Sequence, residues 1–193
     1  MKKLAATDLY TLEAYARERL AFRARVLAHK QPRIVHVGKH LTLVFEDRLT
    51  IQYQIQEILR VERVFEPAGI AEELEAYNPL IPDGSNLKAT MLIEYPDADE
   101  RARRLIELHD IENRVALHIA GCATVIAIAD EDLERSTDTK TSAVHFLRFE
   151  LDAAQIAAFK GDAEIAIAIA HPVYRERALL DDAGRDALAR DFD

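Results

Sequence analysis

The sequence predicts an α+β fold, a single domain over residues 1–193 with a mainly antiparallel sheet and packed helices. Short β-rich runs occur in pairs around turn residues, which is typical of hairpins. Segments with a helical period of apolar residues lie between some of these runs, and this mixture favours α+β architecture. Glycine and proline number 6 each, and no Gly/Ser-rich or Pro-rich stretch has the character of a linker. Two smaller units over 1–95 and 96–193 that share a core are the alternative division.

The first half of the chain predicts two long helices on either side of a hairpin. The first helix is amphipathic and charged, with Leu20 among its expected buried residues. Gly38 lies between two β-rich runs and predicts a tight turn. The predicted elements of this half are helix 8–29, strands 34–37 and 41–45, helices 48–66 and 70–77, and strand 87–95. Residues 78–86 are expected to form an ordered segment packed on the core, because Leu80 and Ile81 lie between two prolines that restrict the chain.

The second half predicts a further hairpin and alternating helices and strands. Gly121 marks the turn of this hairpin. The predicted elements are helix 97–108, strands 115–119 and 122–129, strand 142–151, helix 152–159, strand 164–170 and helix 181–192. A dense acidic loop lacks the spacing and the central glycine of an EF-hand, so it is expected to be solvated. Its acidic residues are Asp130, Glu131, Asp132, Glu134 and Asp138.

Charge and composition exclude several classes of function. The net charge of −9 opposes the neutralisation of phosphates on which nucleic-acid affinity depends. No apolar run approaches the roughly 20 residues that span a bilayer, and no signal-peptide pattern follows the first lysines. The single cysteine, Cys122, allows no disulfide within the chain. The sequence therefore predicts a cytoplasmic, acidic protein that binds neither nucleic acid nor membrane.

Glu62 is the most informative position for locating a site. Stepping 100° per residue along helix 48–66 places it near the centre of an apolar stripe that includes Ile55 and Leu59. An unpaired carboxylate buried there would cost several kcal/mol, so it needs a proton, a cation, hydrogen bonds or a metal. A structural salt bridge is the simpler interpretation. A ligand-binding or catalytic role is the alternative.

The remaining candidate residues form a dispersed polar set. The candidate pocket comprises Glu46, Tyr53, Glu57, Arg60, Glu62 and His145. Arg60 is also placed to form a simple surface pair with Glu57, three residues earlier. Strand alternation places His145 on an apolar face, where a hydrogen-bonded core histidine is the plainer interpretation. If metal binds, the expected ligands are Glu46, Glu57, Glu62 and His145, because carboxylates with imidazole suit Fe, Mn or Zn.

Four blocks of sequence are specific in combination. The blocks are Phe45-Glu46-Asp47-Arg48-Leu49-Thr50, Gln54-Ile55-Gln56-Glu57-Ile58-Leu59-Arg60 with Glu62, Tyr77-Asn78-Pro79-Leu80-Ile81-Pro82, and Ser142-Ala143-Val144-His145-Phe146-Leu147. Together they resemble a bacterial family catalogued as domain of unknown function 3501. The resemblance covers nearly the whole chain and implies no established activity. Members are often encoded beside a rubrerythrin-like di-iron protein and an iron–sulfur oxidoreductase. The resemblance therefore implies a redox or peroxide-defence setting by association.

Two functional hypotheses follow from different classes. The favoured one is a non-catalytic accessory or partner subunit of a redox system, which predicts an exposed apolar patch and an interior closed by salt bridges. The alternative is a metal-binding or metal-dependent protein that uses the Glu/His pocket. The sequence leaves open whether the protein is an enzyme and whether it forms a homo-oligomer.

Overall fold

The protein has an α+β fold, as the sequence predicts. A computed structural model describes residues 1–131, 133 and 135–192, so Asp132 and Glu134 of the acidic loop lie outside the described residues. The helices are α1 (Leu12–Lys30), α2 (Arg48–Glu62), α3 (Pro67–Tyr77), α4 (Ala98–Glu107), α5 (Ala153–Lys160) and α6 (Asp182–Ala189). The strands are β1 (Ile34–Val37), β2 (Leu41–Glu46), β3 (Asn86–Ile93), β4 (Val115–Ile119), β5 (Val125–Ile126), β6 (Ile128–Ala129), β7 (Val144–Glu150), β8 (Ile165–His171) and β9 (Tyr174–Leu179).

The strands form two antiparallel sheets with the main core between them. Sheet A has the order β1-β2-β3-β7-β6, and sheet B has the order β5-β4-β8-β9. Alternate residues of each strand point into the shared core, where Phe45 and Met91 of sheet A belong to the same cluster as Leu117 and Ile167 of sheet B. Sheet A takes strands from both halves of the chain, so the division into 1–95 and 96–193 stays a prediction.

The β1–β2 hairpin forms at the predicted turn because only glycine fits there. Gly38 has φ +74°, in the left-handed region that side chains avoid. A Cβ at this position would lie 2.6 Å from the hydroxyl oxygen of Tyr174, which donates a hydrogen bond to the Val37 carbonyl. The tyrosine comes from β9 of the other sheet. The turn therefore also connects the edges of the two sheets.

The first helix buries a narrower stripe than the sequence predicts. It begins at Leu12, where the Thr11 side chain accepts a hydrogen bond from the Ala14 N–H, and its buried residues are Tyr15, Phe22 and Val26. Leu20 is 80% exposed, so its predicted burial is wrong. The reason is that α1 packs along one side against α2, which leaves the rest of its surface in solvent.

The second helix ends four residues earlier than predicted, and Glu62 is exposed. Asp47 caps the helix by accepting hydrogen bonds from the Leu49 and Thr50 N–H groups, each at 2.9 Å. The buried face carries Ile51, Ile55 and Leu59, and Arg63 ends the helix with φ 56°. The predicted burial of Glu62 is therefore wrong. The core lies along only the first three turns, so the last turn projects into solvent although its sequence continues the apolar period.

Two strand predictions in the second half need correction. The predicted strand 122–129 is divided, because Val125–Ile126 pairs with β4 while Ile128–Ala129 pairs with β7 of the other sheet. The second correction is β9, which the sequence pattern did not predict. It is an edge strand with exposed Arg175, Glu176 and Arg177, so it lacks the apolar alternation that identifies a half-buried strand.

The segment before β3 is packed, as predicted from its prolines. The Asn78 side chain accepts a hydrogen bond from the Leu4 N–H at 2.8 Å and donates one to the Leu4 carbonyl at 3.0 Å. Ile81 is fully buried in the cluster formed by the N-terminal residues, α2 and α3. Leu80 is only partly buried, and it contributes to a surface pocket described below.

A buried arginine joins the end of β2 to the C-terminus. The Arg33 guanidinium donates to the carbonyls of Phe45, Glu46 and Ala187 at 3.0 to 3.1 Å, and to Asp191 Oδ2 at 2.5 Å. The Oδ1 atom of Asp191 is buried and has no hydrogen-bond partner among the described residues. Burial raises the pKa of Asp191 to about 6, although Arg33 acts in the opposite direction. Arg33 therefore connects the segment before β1 with the end of β2, with α6 and with Asp191, although one carboxylate oxygen of Asp191 has no hydrogen-bond partner among the described residues.

The pKa of Asp191 predicts how stability depends on pH. Between its ordinary value of 3.8 and about 6, the folded protein holds a proton that the unfolded chain has released. This contribution is present below pH 4 and is lost as the pH rises through 6. The free energy of unfolding of the wild type, relative to Asp191→Asn, should fall by roughly 2 to 3 kcal/mol from pH 4 to pH 7. Urea unfolding at each pH measures it, with the exposed Asp186→Asn as the control. If the difference in the free energy of unfolding between the wild type and Asp191→Asn does not change with pH, the raised pKa of Asp191 is contradicted.

Candidate functional site

The structure does not bring the predicted polar set into one pocket. Glu46 pairs with Lys88 across β2 and β3, whereas His145 pairs with Met91 across β3 and β7. Because successive side chains of a strand point to opposite faces, Lys88 and Met91 face opposite ways. His145 therefore faces the core and Glu46 the outer side of sheet A. The prediction that these two residues line a common pocket is wrong.

The other predicted residues lie on the helices. Tyr53, Glu57 and Glu62 line a surface groove on α2, and Arg60 is exposed. Glu57 does not pair with Arg60 as expected. It accepts two hydrogen bonds from Arg19, at 2.7 and 2.8 Å, and one from the Tyr15 hydroxyl at 2.6 Å. The Arg19 hydrogen bonds are the main cause that holds the pKa of Glu57 below its usual value.

The proposed metal ligands are dispersed as a consequence. Glu46, Glu57, Glu62 and His145 lie on two faces of a sheet and on a helix surface, so they do not form a ligand set for Fe, Mn or Zn. Over residues 1–131, 133 and 135–192, no three His, Cys, Asp or Glu side chains are grouped as a metal ion would require. Glu46 itself accepts a hydrogen bond from Thr90 at 2.8 Å, and its second carboxylate oxygen is buried without a partner among the described residues.

His145 is the centre of a closed polar cluster inside the core. It is fully buried, with Nδ1 2.6 Å from Asp130 Oδ2 and Nε2 2.7 Å from the Thr141 hydroxyl and 3.1 Å from the Ser142 carbonyl. Glu112 accepts hydrogen bonds from the hydroxyls of Thr141, at 2.8 Å, and Ser136. Both ring nitrogens therefore have hydrogen-bond partners within the described chain. The plainer interpretation of His145 as a hydrogen-bonded core histidine fits this geometry.

Asp130 is the residue of this cluster that the sequence pattern missed. It belongs to the acidic loop expected to be solvated, but its side chain turns inward and accepts from the Phe146 N–H at 3.0 Å and from Arg135 at 3.2 Å. The Arg135 guanidinium also lies 4.4 Å from the centre of the Phe146 ring. These contacts attach the loop to sheet A. No sequence signal distinguishes Asp130 from its acidic neighbours, because its role depends on a histidine 15 residues later.

The exposed apolar surface lies on the paired helices α1 and α2. The helices are antiparallel, since Arg19 in the first half of α1 contacts Glu57 near the end of α2, while His29 near the end of α1 contacts Asp47 at the start of α2. A groove of about 360 Å³ runs along α2, and its lining includes Lys30, Ile58 and Val61. Val61 is 70% exposed.

The solvent-facing side of α1 carries further apolar residues. Leu20, Leu27 and Lys30 are spaced at i, i+7 and i+10, so they lie along one stripe of the helix. Leu27 is 41% exposed and Leu20 is 80% exposed. We call the surface formed by Leu20, Leu27, Ile58 and Val61 the helical face. An exposed apolar surface of this kind is typical of a protein-binding site.

The two ends of the helical face differ in charge. Lys30 lies at one end. Glu62 lies at the other, and it makes no hydrogen bond or salt bridge with any residue that the structure describes. Burial, with the nearby charges of Glu62 and Glu72, raises the pKa of Glu73 on α3. The acidic end therefore carries repelling carboxylates that a cation from a partner would neutralise.

The fold and this surface define an α+β protein with a closed polar interior and an exposed helical face. The chain belongs to the family described as protein of unknown function (DUF3501), whose model matches residues 3–192. It is similar to the crystal structure, at 1.90 Å resolution, of a novel protein of unknown function from Burkholderia pseudomallei K96243. That similarity has 51% sequence identity, a TM-score of 0.94 and 100% coverage of both chains. None of the curated proteins matches the chain. In the described part of the chain, no helix combines the length and apolarity that crossing a membrane requires.

The cluster around His145 predicts a structural role for this side chain. Replacing His145 with Leu should lower the free energy of unfolding by about 2 to 4 kcal/mol, because Asp130 and Thr141 lose a buried partner. Thermal and urea unfolding measure the loss. His118→Leu is the control, since His118 is half-buried and its change should cost less than about 1 kcal/mol. Equal stability of His145→Leu and the wild type would contradict the structural role.

Proposed function

We propose that this protein is a non-catalytic accessory protein that binds a partner protein through its helical face. The observation that carries the proposal is a groove along α2 that is lined by Ile58 and the exposed Val61 and is long enough to hold a peptide segment, with Leu20 and Leu27 also exposed on the neighbouring helix α1. Large apolar side chains that are scattered singly need no explanation, but Ile58 and Val61 line one groove together.

The placement of the buried polar groups supports an accessory role. His145 is fully buried, and Arg33 is 1% exposed. Their hydrogen bonds go to Asp130, to Asp191 and to backbone carbonyls of the same chain. Side chains closed in this way stabilise the fold and have no contact with solvent through which a substrate would reach them. The groups that remain available for recognition lie on the outside of the molecule.

The groove favours an amphipathic helix as the occupant. From Thr50 to Val61 the groove follows α2 for twelve residues, or roughly 18 Å at 1.5 Å per residue. Such a length matches about three turns of a partner helix lying against α1 and α2, with apolar residues at helical spacing. Charge complementarity sets the direction: a basic residue of the partner would lie beside Glu62, and an acidic residue beside Lys30.

The partner class that we propose follows from the family setting. The resemblance implies genes for a rubrerythrin-like protein and an iron–sulfur oxidoreductase beside those of family members. Either protein is a candidate for the helix that occupies the groove. The redox or peroxide-defence role of the present chain would then be indirect, because the partner would hold the iron.

Two substitutions on the helical face test the proposal. In Leu20→Asp/Val61→Asp both side chains are already exposed, so the fold should be retained while an apolar contact becomes a buried charge on binding. The double variant should weaken binding of the purified rubrerythrin-like or iron–sulfur partner at least about tenfold. Biolayer interferometry with the full-length proteins measures the affinity.

The matched control is Val173→Asp, which changes an apolar residue of 62% exposure in the β8–β9 turn, away from the helical face. This variant should bind like the wild type. Failure of both candidate partners to bind the wild type would contradict the redox setting. Self-association that is abolished by the double variant would instead assign the helical face to a homo-oligomer, as measured by sedimentation velocity.

A further inference from the structure

A small apolar pocket lies on the outer face of sheet A, away from the helical face. Its lining comprises Pro79 and Leu80 from the packed segment before β3, Phe146 and Leu147 of β7, and the charged residues Lys88, Glu131 and Arg148. Its volume is about 250 Å³. At the packing density of protein interiors this volume holds roughly nine non-hydrogen atoms. The pocket therefore suits a small molecule or the end of a larger one.

One cation in this pocket forms no ion pair with any described residue, although Glu131 lines the same pocket. Lys88 lines the pocket and is half-buried, and within the described chain its ammonium makes no hydrogen bond or salt bridge. Its neighbour Arg148 differs, because it donates to Glu131 at 2.7 and 2.8 Å and to Glu150 at 2.5 Å. The arginine is thus neutralised by the protein itself. The ammonium of Lys88 is the group that remains for a ligand.

Lys88 lies directly opposite a carboxylate in the sheet but does not pair with it. Glu46 lies directly across β2 and β3 from it on the same face, and one carboxylate oxygen of Glu46 is buried without a partner. Side chains in such cross-strand positions are close enough to pair. No salt bridge forms between them, and Lys88 lines the apolar pocket instead. Burial in this position lowers the pKa of Lys88 from its ordinary value, with the charge of Glu131 opposing the change.

We propose that this pocket binds a small carboxylate with an unbranched apolar tail of about six carbons. The carboxylate accepts a charge-assisted hydrogen bond from Lys88 Nζ, and the tail lies against Pro79, Leu80 and Phe146. This class of ligand satisfies both properties of the pocket, because its carboxylate pairs with Lys88, while Glu131 is already bonded to Arg148, and its tail fills apolar volume. A phosphate fits less well, since the only other cation of the lining, Arg148, is already bonded to two carboxylates.

Binding of hexanoate tests this assignment. Isothermal titration calorimetry of the full-length wild type should give saturable binding with a dissociation constant of roughly 1 mM or lower, on the scale expected for a ligand of this size. Hexan-1-ol and hexylamine contain the same number of carbon atoms, and each should bind at least about tenfold more weakly, because neither supplies a charge opposite to that of Lys88.

Two variants separate the contributions of charge and tail. Lys88→Met keeps the aliphatic stem and should weaken hexanoate binding about tenfold or more, whereas the control Lys39→Met, at an exposed lysine in the β1–β2 turn, should leave it unchanged. Leu80→Ser keeps the ammonium and should weaken hexanoate more than acetate, so the test holds even if Lys88→Met fails to fold. Hexanoate binding that is absent in the wild type, unaffected by both variants or matched by hexylamine would overturn the proposal.

Discussion

The structure depends on the hydrogen bonds of one buried arginine. Arg33 precedes β1, yet its guanidinium donates to the carbonyls at the end of β2, to the Ala187 carbonyl of α6 and to Asp191. It also lies 3.6 Å from Asp47, the residue that caps α2. Burial alone would raise the pKa of Asp47, but Arg33, the Thr50 N–H and His29 together hold it below its usual value. A buried charge of this kind is stable only with all its partners, so the sheet, the helix start and the C-terminus must come together.

Because the buried charges are paired within the chain, the polar interior is closed to solvent, whereas much of the helix surface is exposed. Arg33 and His145 are satisfied by groups of the same chain, and their environment leaves no room for a substrate. In contrast, α1 packs mainly against α2, and the outer face of sheet A is only partly covered. The two features open to other molecules, the helical face with Glu62 and the pocket with Lys88, are therefore found on surfaces. Recognition of other molecules is the property that these surfaces have in common.

The sequence predicted local structure well and the candidate site poorly. The first hairpin and α2 form where Gly38 and the apolar period indicated, because a glycine turn and a helical stripe are local properties. The edge strand β9 was missed, since its exposed residues carry no alternation. Glu62 was assigned to the core because periodicity defines a helix face but not how far the packing partner extends along it. The sequence did contain one indication of Lys88, because this residue is the single cation in a strand whose other side chains are apolar or small.

The sequence alone determined the α+β class, the main helices and strands, and the position of His145 on the apolar face of its strand, because each depends on residues near one another in the chain. Only the tertiary structure decided that Glu46 and His145 face opposite sides of one sheet, and that Asp130 turns inward to meet the histidine. Strand pairing and the layers that cover each face are set by contacts between distant segments. Which carboxylates meet which cations follows from that pairing, and no local pattern records it.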